Sequence, residues 1–439
     1  MAQVLSMGEV RPLDDPAAEV ERALDRPLGV PPLLQLAHQR LAADPRARAV
    51  VVISDNTRPV PYRGESGILW PVLRRLLEAG FAPAQILILV ANGTHRPLAE
   101  AELRRMLDPR VFERGIPILN HEARYRAGLL PLGRTSQGEE VFINRRYMES
   151  GLRILTGLVE SHFVAGVSGG RKSICPGLIG EESTRHFHGA PMIAAPGARD
   201  LNLDGNPCHE EALEVARMAG VDFIVNVTLD KLFRPTGVFA GELDQAHRAA
   251  FEHLRGYAAV PFREPFDAVL THAGFVGINH YQSVKAVLAA LPAVRRGGRL
   301  LVLAANRDED PVGSLRYRSL LHLLTLVGAE AFRRLLFSPD WTFIPEQWEV
   351  QAWGRALEQL GPEGLVYYSP QLPERDCALL PGLDGNLLLA EDRRYRADAG
   401  NVQRVVDAFL RQARPQGRNR EPRLAFLADG PYGILRPAS

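Results

Sequence analysis

Along the chain, short runs of Val, Ile and Leu alternate with longer stretches of helical period. AVVVIS (49–54) is followed by GILWPVLRRLLEAG (67–80), whose apolar positions recur three and four apart, and then by ILILVANG (86–93). Runs that are apolar at every position, such as 50–53 and 86–90, predict strands buried on both faces, as in a mostly parallel sheet covered by helices. The alternation continues through the helical HEEALEVARMAG, the strand DFIVNVTLD (222–230) and the helical LDQAHRAAFEHLRGY (243–257).

AAVPFREPFD, with two prolines and no period, then places a domain boundary near residue 260. The expected division is an N-terminal α/β domain over 1–260 and a C-terminal α/β domain over 261–439. The second domain is read from FDAVLTHAGF, the helical QSVKAVLAAL, the strand RLLVLAAN and the amphipathic PEQWEVQAWGRALEQLG (345–361). The fold class is therefore α/β, two domains with mostly parallel sheets. The expected active site is the interdomain cleft, since ligands of open α/β sheets sit beyond the carboxyl ends of the strands. The tail after Arg411, rich in Arg and Pro, reads as partly loose.

Composition narrows the function. With 52 basic and 51 acidic residues in 439, the net charge is +1, so the chain has no field for a polyanion and nucleic acid is not expected as a partner. The N-terminus lacks the pattern of a signal peptide, and no uncharged apolar run approaches membrane-spanning length. A soluble, cytoplasmic protein without a membrane partner is expected. Cys175, Cys208 and Cys377 form no CxxC pair, which argues against a disulfide framework and a structural zinc module. Lysine occurs only at 172, 231 and 285, every other basic residue being arginine. A lysine kept in such a chain points to amine chemistry that arginine cannot perform.

Four segments place polar residues directly after a predicted strand. In SDNTRP (54–59), Asp55, Asn56 and Thr57 can cap or turn while Arg58 clamps a phosphate or carboxylate, although on this segment alone a capped turn with an exposed arginine is the favoured reading. In ANGTHRP (91–97), His95 sits in a rigid turn where an imidazole can serve as a general base, although a solvated loop histidine is the blander reading. ESHFVAGVSGGRKSICPGLIG (160–180) carries Gly166, Gly169 and Gly170 into Lys172, a nest for an anion with a lysine, but without Walker spacing. The HxH of STRHFHGA, His186 and His188, reads either as two metal ligands or as a capped helix start. In HAGFVGINHYQSVKAV (272–287), Gln282 and Lys285 share one helical face beside Tyr281 and can grip a carboxylate or hydroxyl together. Trp348, on its amphipathic helix, reads first as core.

Taken jointly, SDNTRP, NGTHRP, SHFVAGVSGGRKSICPG, the histidine at 188, DGNPCHEEALEVARMAGVDFIVNV and YQSVK resemble, in order and spacing, the nickel-pincer-nucleotide-dependent lactate racemase family. The resemblance runs from about Ser54 to Trp348. It implies a cofactor, the Ni(II)-pyridinium-3,5-bisthiocarboxylic acid mononucleotide, linked covalently through Lys172, with His188 as the protein's nickel ligand. It implies His95 and His162 as the acid/base pair of a racemase or epimerase. One takes the hydroxyl proton of a 2-hydroxy acid while the C2 hydride moves to the cofactor, and the other returns a proton after hydride delivery to the opposite face. It further implies Asp55, Asn56, Thr57 and Arg58 in cofactor or substrate contact, Gln282, Lys285 and Tyr281 at the substrate with Trp348 nearby, and cofactor-synthesis enzymes as maturation partners. Soft sulfur with imidazole suits nickel.

FVGINH replaces the turn usual before the YQ pair, so a substrate other than lactate is open, with His272 and His280 available to a larger, polyhydroxylated 2-hydroxy acid. His186 competes with His188 for the metal. A C2 epimerase of a sugar acid, a non-catalytic anion-binding protein and a zinc hydrolase are the competing readings.

Overall fold

The structure is a computed structural model describing residues 2–413 and 421–438. The chain divides into two compact units, one of Glu9–His188 with Ala195–Gly256, the other of Met1–Gly8, Gly189–Ala194 and Tyr257–Ser439. The linear border falls beside the proline-containing stretch read from the sequence, but the division is not one cut. Gln3–Leu5 belongs with the second unit because it pairs in parallel with Leu424–Leu427.

The first unit is built on a six-stranded sheet in the order Pro235–Gly241, Phe223–Leu229, Leu152–Leu158, Ala49–Ser54, Ile86–Ala91, Ile118–Asn120. All neighbours are parallel except the antiparallel pair of Pro235–Gly241 with Phe223–Leu229. Phe223–Leu229 is buried at every position and Ala49–Ser54 at all but the last, as continuously apolar strands between two helical layers require. The expected helix after the first of these strands is Leu69–Glu78, which buries Leu69, Val72, Leu73 and Leu76 at helical spacing. From Ala49–Ser54 the chain steps outward toward Ile118–Asn120, whereas from Leu152–Leu158 it steps the opposite way. The junction of these two strands is therefore the topological switch point, beyond whose carboxyl ends open α/β sheets bind ligands.

The second unit carries a six-stranded, all-parallel sheet in the order Gln3–Leu5, Leu424–Leu427, Phe266–His272, Val294–Leu303, Leu365–Tyr368, Leu383–Asp384. The tail after Arg411, read as partly loose, contains two strands among its described residues. Residues 414–420 lie outside the described residues, but Leu424–Leu427 runs inside the sheet and Ile434–Pro437 pairs with Ala259–Phe262. The Arg and Pro around these short apolar runs masked them in the composition. Among the described residues no helix is long and apolar enough to cross a membrane.

Candidate functional site

At the switch point, the Ala49–Ser54 strand runs into Asp55, which is buried and closes an Asx-type turn: its Oδ1 accepts from the Thr57 N–H (3.1 Å) and hydroxyl (2.5 Å). Its other oxygen, Oδ2, lies 2.7 Å from His95 Nδ1. Burial pushes the Asp55 carboxyl up, but hydrogen bonds from His95 and Thr57 and the Arg58 charge outweigh it, and the group is held below its ordinary range. With a carboxylate on Nδ1, neutral His95 carries its proton there and leaves a lone pair on Nε2. The ring remains more than half exposed, at 55%.

Beyond the neighbouring strand, Leu152–Leu158, Glu160 accepts from Arg58 Nη1 at 2.5 Å, tying the ends of the two switch-point strands together. Arg58 thus holds a carboxylate of its own chain. Asn56 points away from this group, donating to Glu102 Oε1 at 3.1 Å.

His162 follows two residues later. The N–H groups of Val164 (3.2 Å) and Ala165 (3.3 Å) donate to its Nδ1, so the ring is neutral with its proton on Nε2. That Nε2 lies 2.9 Å from Lys172 Nζ. A nitrogen bearing a proton can only donate in this pair, so the lysine accepts and is a neutral amine. Burial, then the charges of Arg58 and Arg171, push the Lys172 amine well below the ordinary lysine range, in agreement with the geometry. The amine also lies over the Phe187 ring, 5.6 Å from its centroid.

The loop between His162 and Lys172 holds the glycines read from the sequence as a nest for an anion. Gly169 and Gly170 have φ of +73° and +50°, and a Cβ would lie 2.8 Å from Asn226 Oδ1 at the first and 2.7 Å from the His247 ring at the second. The turn is pinned from below, where Asn226 Oδ1 accepts from Gly170 N–H at 3.1 Å. DGNPCHEE has a structural role here. Asn206 caps the helix Pro207–Ala219 through the N–H groups of Cys208 and His209, and its amide donates to Val164 O at 2.9 Å, fixing the loop beside His162.

The HxH pair does not open a helix, as its local pattern allowed; Glu181 and Glu182 fill the first turn of Glu181–Phe187 and the histidines close it. His186 lies between two carboxylates, 3.3 Å from Glu139 and 3.0 Å from Glu211, and its pKa is raised by Glu211. His188 is the C-terminal cap, packed edge-on against Phe187. Desolvation pulls its imidazole down to about 3, which keeps it neutral. Among the described residues no three His, Cys, Asp or Glu side chains converge as a metal site.

In the second unit, the helix His280–Ala290 starts at the Asn279 cap, whose side chain accepts from Gln282 N–H at 2.9 Å. Gln282 and Lys285 lie on this helix as the spacing predicts, and Tyr281 hydrogen-bonds Trp348, which also stacks on Phe343. His272 and His280, read as groups for a larger substrate, are engaged within the protein itself. His272 is engaged at both ring nitrogens by the backbone, at Ala428 O (2.7 Å) and Gly274 N–H (3.1 Å). His280 is fully buried, stacked on Trp353 at 4.3 Å, and its Nδ1 is 2.9 Å from the Tyr317 hydroxyl.

Two site residues escaped the sequence reading. Glu160 opens the 160–180 segment without having been singled out, and Asn226 stands as the one amide within the apolar FIVNVTL, a signal that was available.

Comparison with known proteins agrees with this architecture. Residues 1–200 match the lactate racemase N-terminal domain. A lactate racemase of Lactiplantibacillus plantarum is 33% identical over 339 residues, 77% of each chain. The chain belongs to the lactate racemase family. A second relative, the lactate racemase of Thermoanaerobacterium thermosaccharolyticum, is 31% identical over 340 residues, covering 77% of this chain and 76% of its own. The lactate racemase apoprotein structure from that organism superposes with a TM-score of 0.81 at 25% identity, covering 99% of this chain and 94% of that one. A Thermotoga maritima protein shares the fold, with a TM-score of 0.61 at 17% identity, 92% of this chain and 97% of that one. As a member of the lactate racemase family, the protein is an isomerase, a racemase of the lactate or 2-hydroxy acid class.

Proposed function

We propose that the protein inverts C2 of a 2-hydroxy acid using a nickel-pincer nucleotide carried on Lys172, with His95 and His162 as the acid/base pair. The observation that carries this reading is the neutral Lys172 amine 2.9 Å from His162 Nε2, at the switch point also occupied by the Asp55–His95 pair. The residues fit the group: an unprotonated amine is the form that makes an amide-type link, and the neutral His188 imidazole is the form that ligates a metal. Lys172 would hold the cofactor and His188 would be the protein's one ligand to its metal, in keeping with the absence of a three-ligand protein cluster among the described residues. When bound, the cofactor supplies the hydride acceptor at the substrate's C2.

The chain's own residues handle the proton. His95, with its lone pair on Nε2 and Asp55 stabilising the imidazolium that forms, takes the hydroxyl proton. His162, with its proton on Nε2, is the donor; the reverse reaction exchanges the two roles. Asp55, Asn56, Thr57 and Arg58 contact cofactor or substrate in this reading, with Arg58 free to trade Glu160 for the substrate carboxylate. Gln282, Lys285, Tyr281 and Trp348 are assigned to the substrate on the resemblance. His188 is preferred over His186 as the nickel ligand because His186 is committed to Glu139 and Glu211. Cofactor-synthesis enzymes are the maturation partners, and the cytoplasm is the compartment.

The test is intact-protein and peptide mass spectrometry, with metal analysis, on protein co-expressed with those enzymes. A sulfur-containing nucleotide on Lys172 with bound nickel, and conversion of an enantiopure 2-hydroxy acid to racemate, are expected. An unmodified Lys172 without nickel, despite active synthesis enzymes, would overturn the reading.

A further inference from the structure

Arg171, the residue before the lysine, has no exposed surface at all. A buried guanidinium is costly unless its donors are met, and here the partners are carbonyls and an imidazole rather than a hydrogen-bonded carboxylate. Nη2 donates to Ala165 O at 2.6 Å, and Nη1 reaches Ser168 O and Gly169 O, each at 3.4 Å. Nη1 also lies 2.6 Å from His247 Nε2. The same Nε2 lies 3.0 Å from Ser168 O, a carbonyl that Nη1 itself reaches, but since arginine stays protonated the shorter contact gives Nε2 the lone pair and His247 is neutral. His247 is buried beneath the turn, where a Cβ on Gly170 would strike its ring, and His209 stacks on it with centroids 6.2 Å apart.

We propose that Arg171 and His247 form a positioning clamp that holds the 165–170 turn so that Lys172 Nζ stays against His162 and remains reactive. The fork gathers three carbonyls of one turn, and the imidazole fixes the fork. Nothing in the racemase chemistry needs an arginine sealed from solvent; what it reaches is the backbone that aims the lysine. The role of Lys172 rests on the function proposed above, but the clamp can be read without cofactor.

The chain provides its own standards, because Lys231 and Lys285 are its other lysines. Cofactor-free protein is pulsed with an amine-acylating reagent across pH 6–9 and each lysine is quantified by peptide mass spectrometry. The groups bearing on Lys172 are Arg58, Arg171, His162, His188, Cys175 and Cys208. Expected is a Lys172/Lys231 labelling ratio that falls at least tenfold in His247→Leu and stays near wild type in His247→Gln, whose amide oxygen can accept from Arg171. A folded His247→Leu protein with an unchanged ratio would overturn the clamp. If that variant does not fold, the ring protons of His247 in the wild-type chain decide by NMR titration. Arg171, His209 and Arg248 face this ring. Titration at an ordinary value, about 6.5, would overturn the proposal, since a protonated Nε2 cannot accept. A ring still neutral at pH 5 supports it. Clamp-dependent labelling in a protein that never loads nickel would refute the proposed function and leave the clamp standing.

Discussion

At the residue scale the site rests on where each proton sits, and single substitutions should report on it. Asp55→Asn offers His95 an amide in place of a carboxylate, so Nε2 no longer keeps its lone pair reliably. Steady-state conversion of enantiopure lactate should show kcat lowered roughly 10²–10⁴-fold with KM little changed. Arg58→Lys keeps the charge but loses the fork, and the same assay should show the change mainly in KM. Lysine scarcity made Lys172 visible in the sequence, and strand ends made Asp55 and His95 visible. The neutrality of Lys172 was not legible, because it follows from two backbone N–H groups three-dimensionally aimed at His162 Nδ1. His272 and His280 drew notice because a histidine's letter says neither whether its nitrogens are already in use, as in the first, nor whether its ring is sealed in the core, as in the second.

Among the elements, the strand periods were the most legible feature: 49–54 is a strand at its predicted bounds, and 222–230 contains Phe223–Leu229. What periodicity could not convey was the clamping of the lysine turn by other elements, from Asn226 on a strand and His247 on a helix. Two outcomes follow. Gly170→Ala places a Cβ at positive φ and 2.7 Å from the His247 ring, and urea unfolding should show a loss of about 1–3 kcal/mol. Asn226→Val keeps the strand but leaves the Gly170 N–H without its acceptor. It should cost about 1–3 kcal/mol by the same measurement and lower Lys172 labelling. The helix Glu181–Phe187 was misread at its start because the HxH pair drew attention from the two glutamates ahead of it.

For the whole molecule, buried neutral histidines set the response to acid. Burial lowers His121 to about 4 and His209 and His280 to about 3. In the unfolded chain each titrates near 6.5, so between that value and its folded one the unfolded state binds more protons. Their stabilisation is therefore complete above about pH 6.5 and drains away as pH falls toward 4. Asp55, with a lowered carboxyl, adds loss in the same direction below that. Urea midpoints at pH 7.5, 6 and 5 should decline steadily; a flat profile would contradict the assignment. The α/β class with mostly parallel sheets was legible from alternating periods, whereas the pairing of Gln3–Leu5 with Leu424–Leu427 was not, since three residues carry no period. That pairing has a consequence for how the protein is made. Once the ribosome has released residue 256, every segment of the first unit is available to fold. Gln3–Leu5, in contrast, must wait for Leu424–Leu427, a delay of roughly 20–80 s at ordinary rates of synthesis. Throughout that interval Gln3–Leu5 has no strand to pair with, and its few residues keep it a poor template for aggregation.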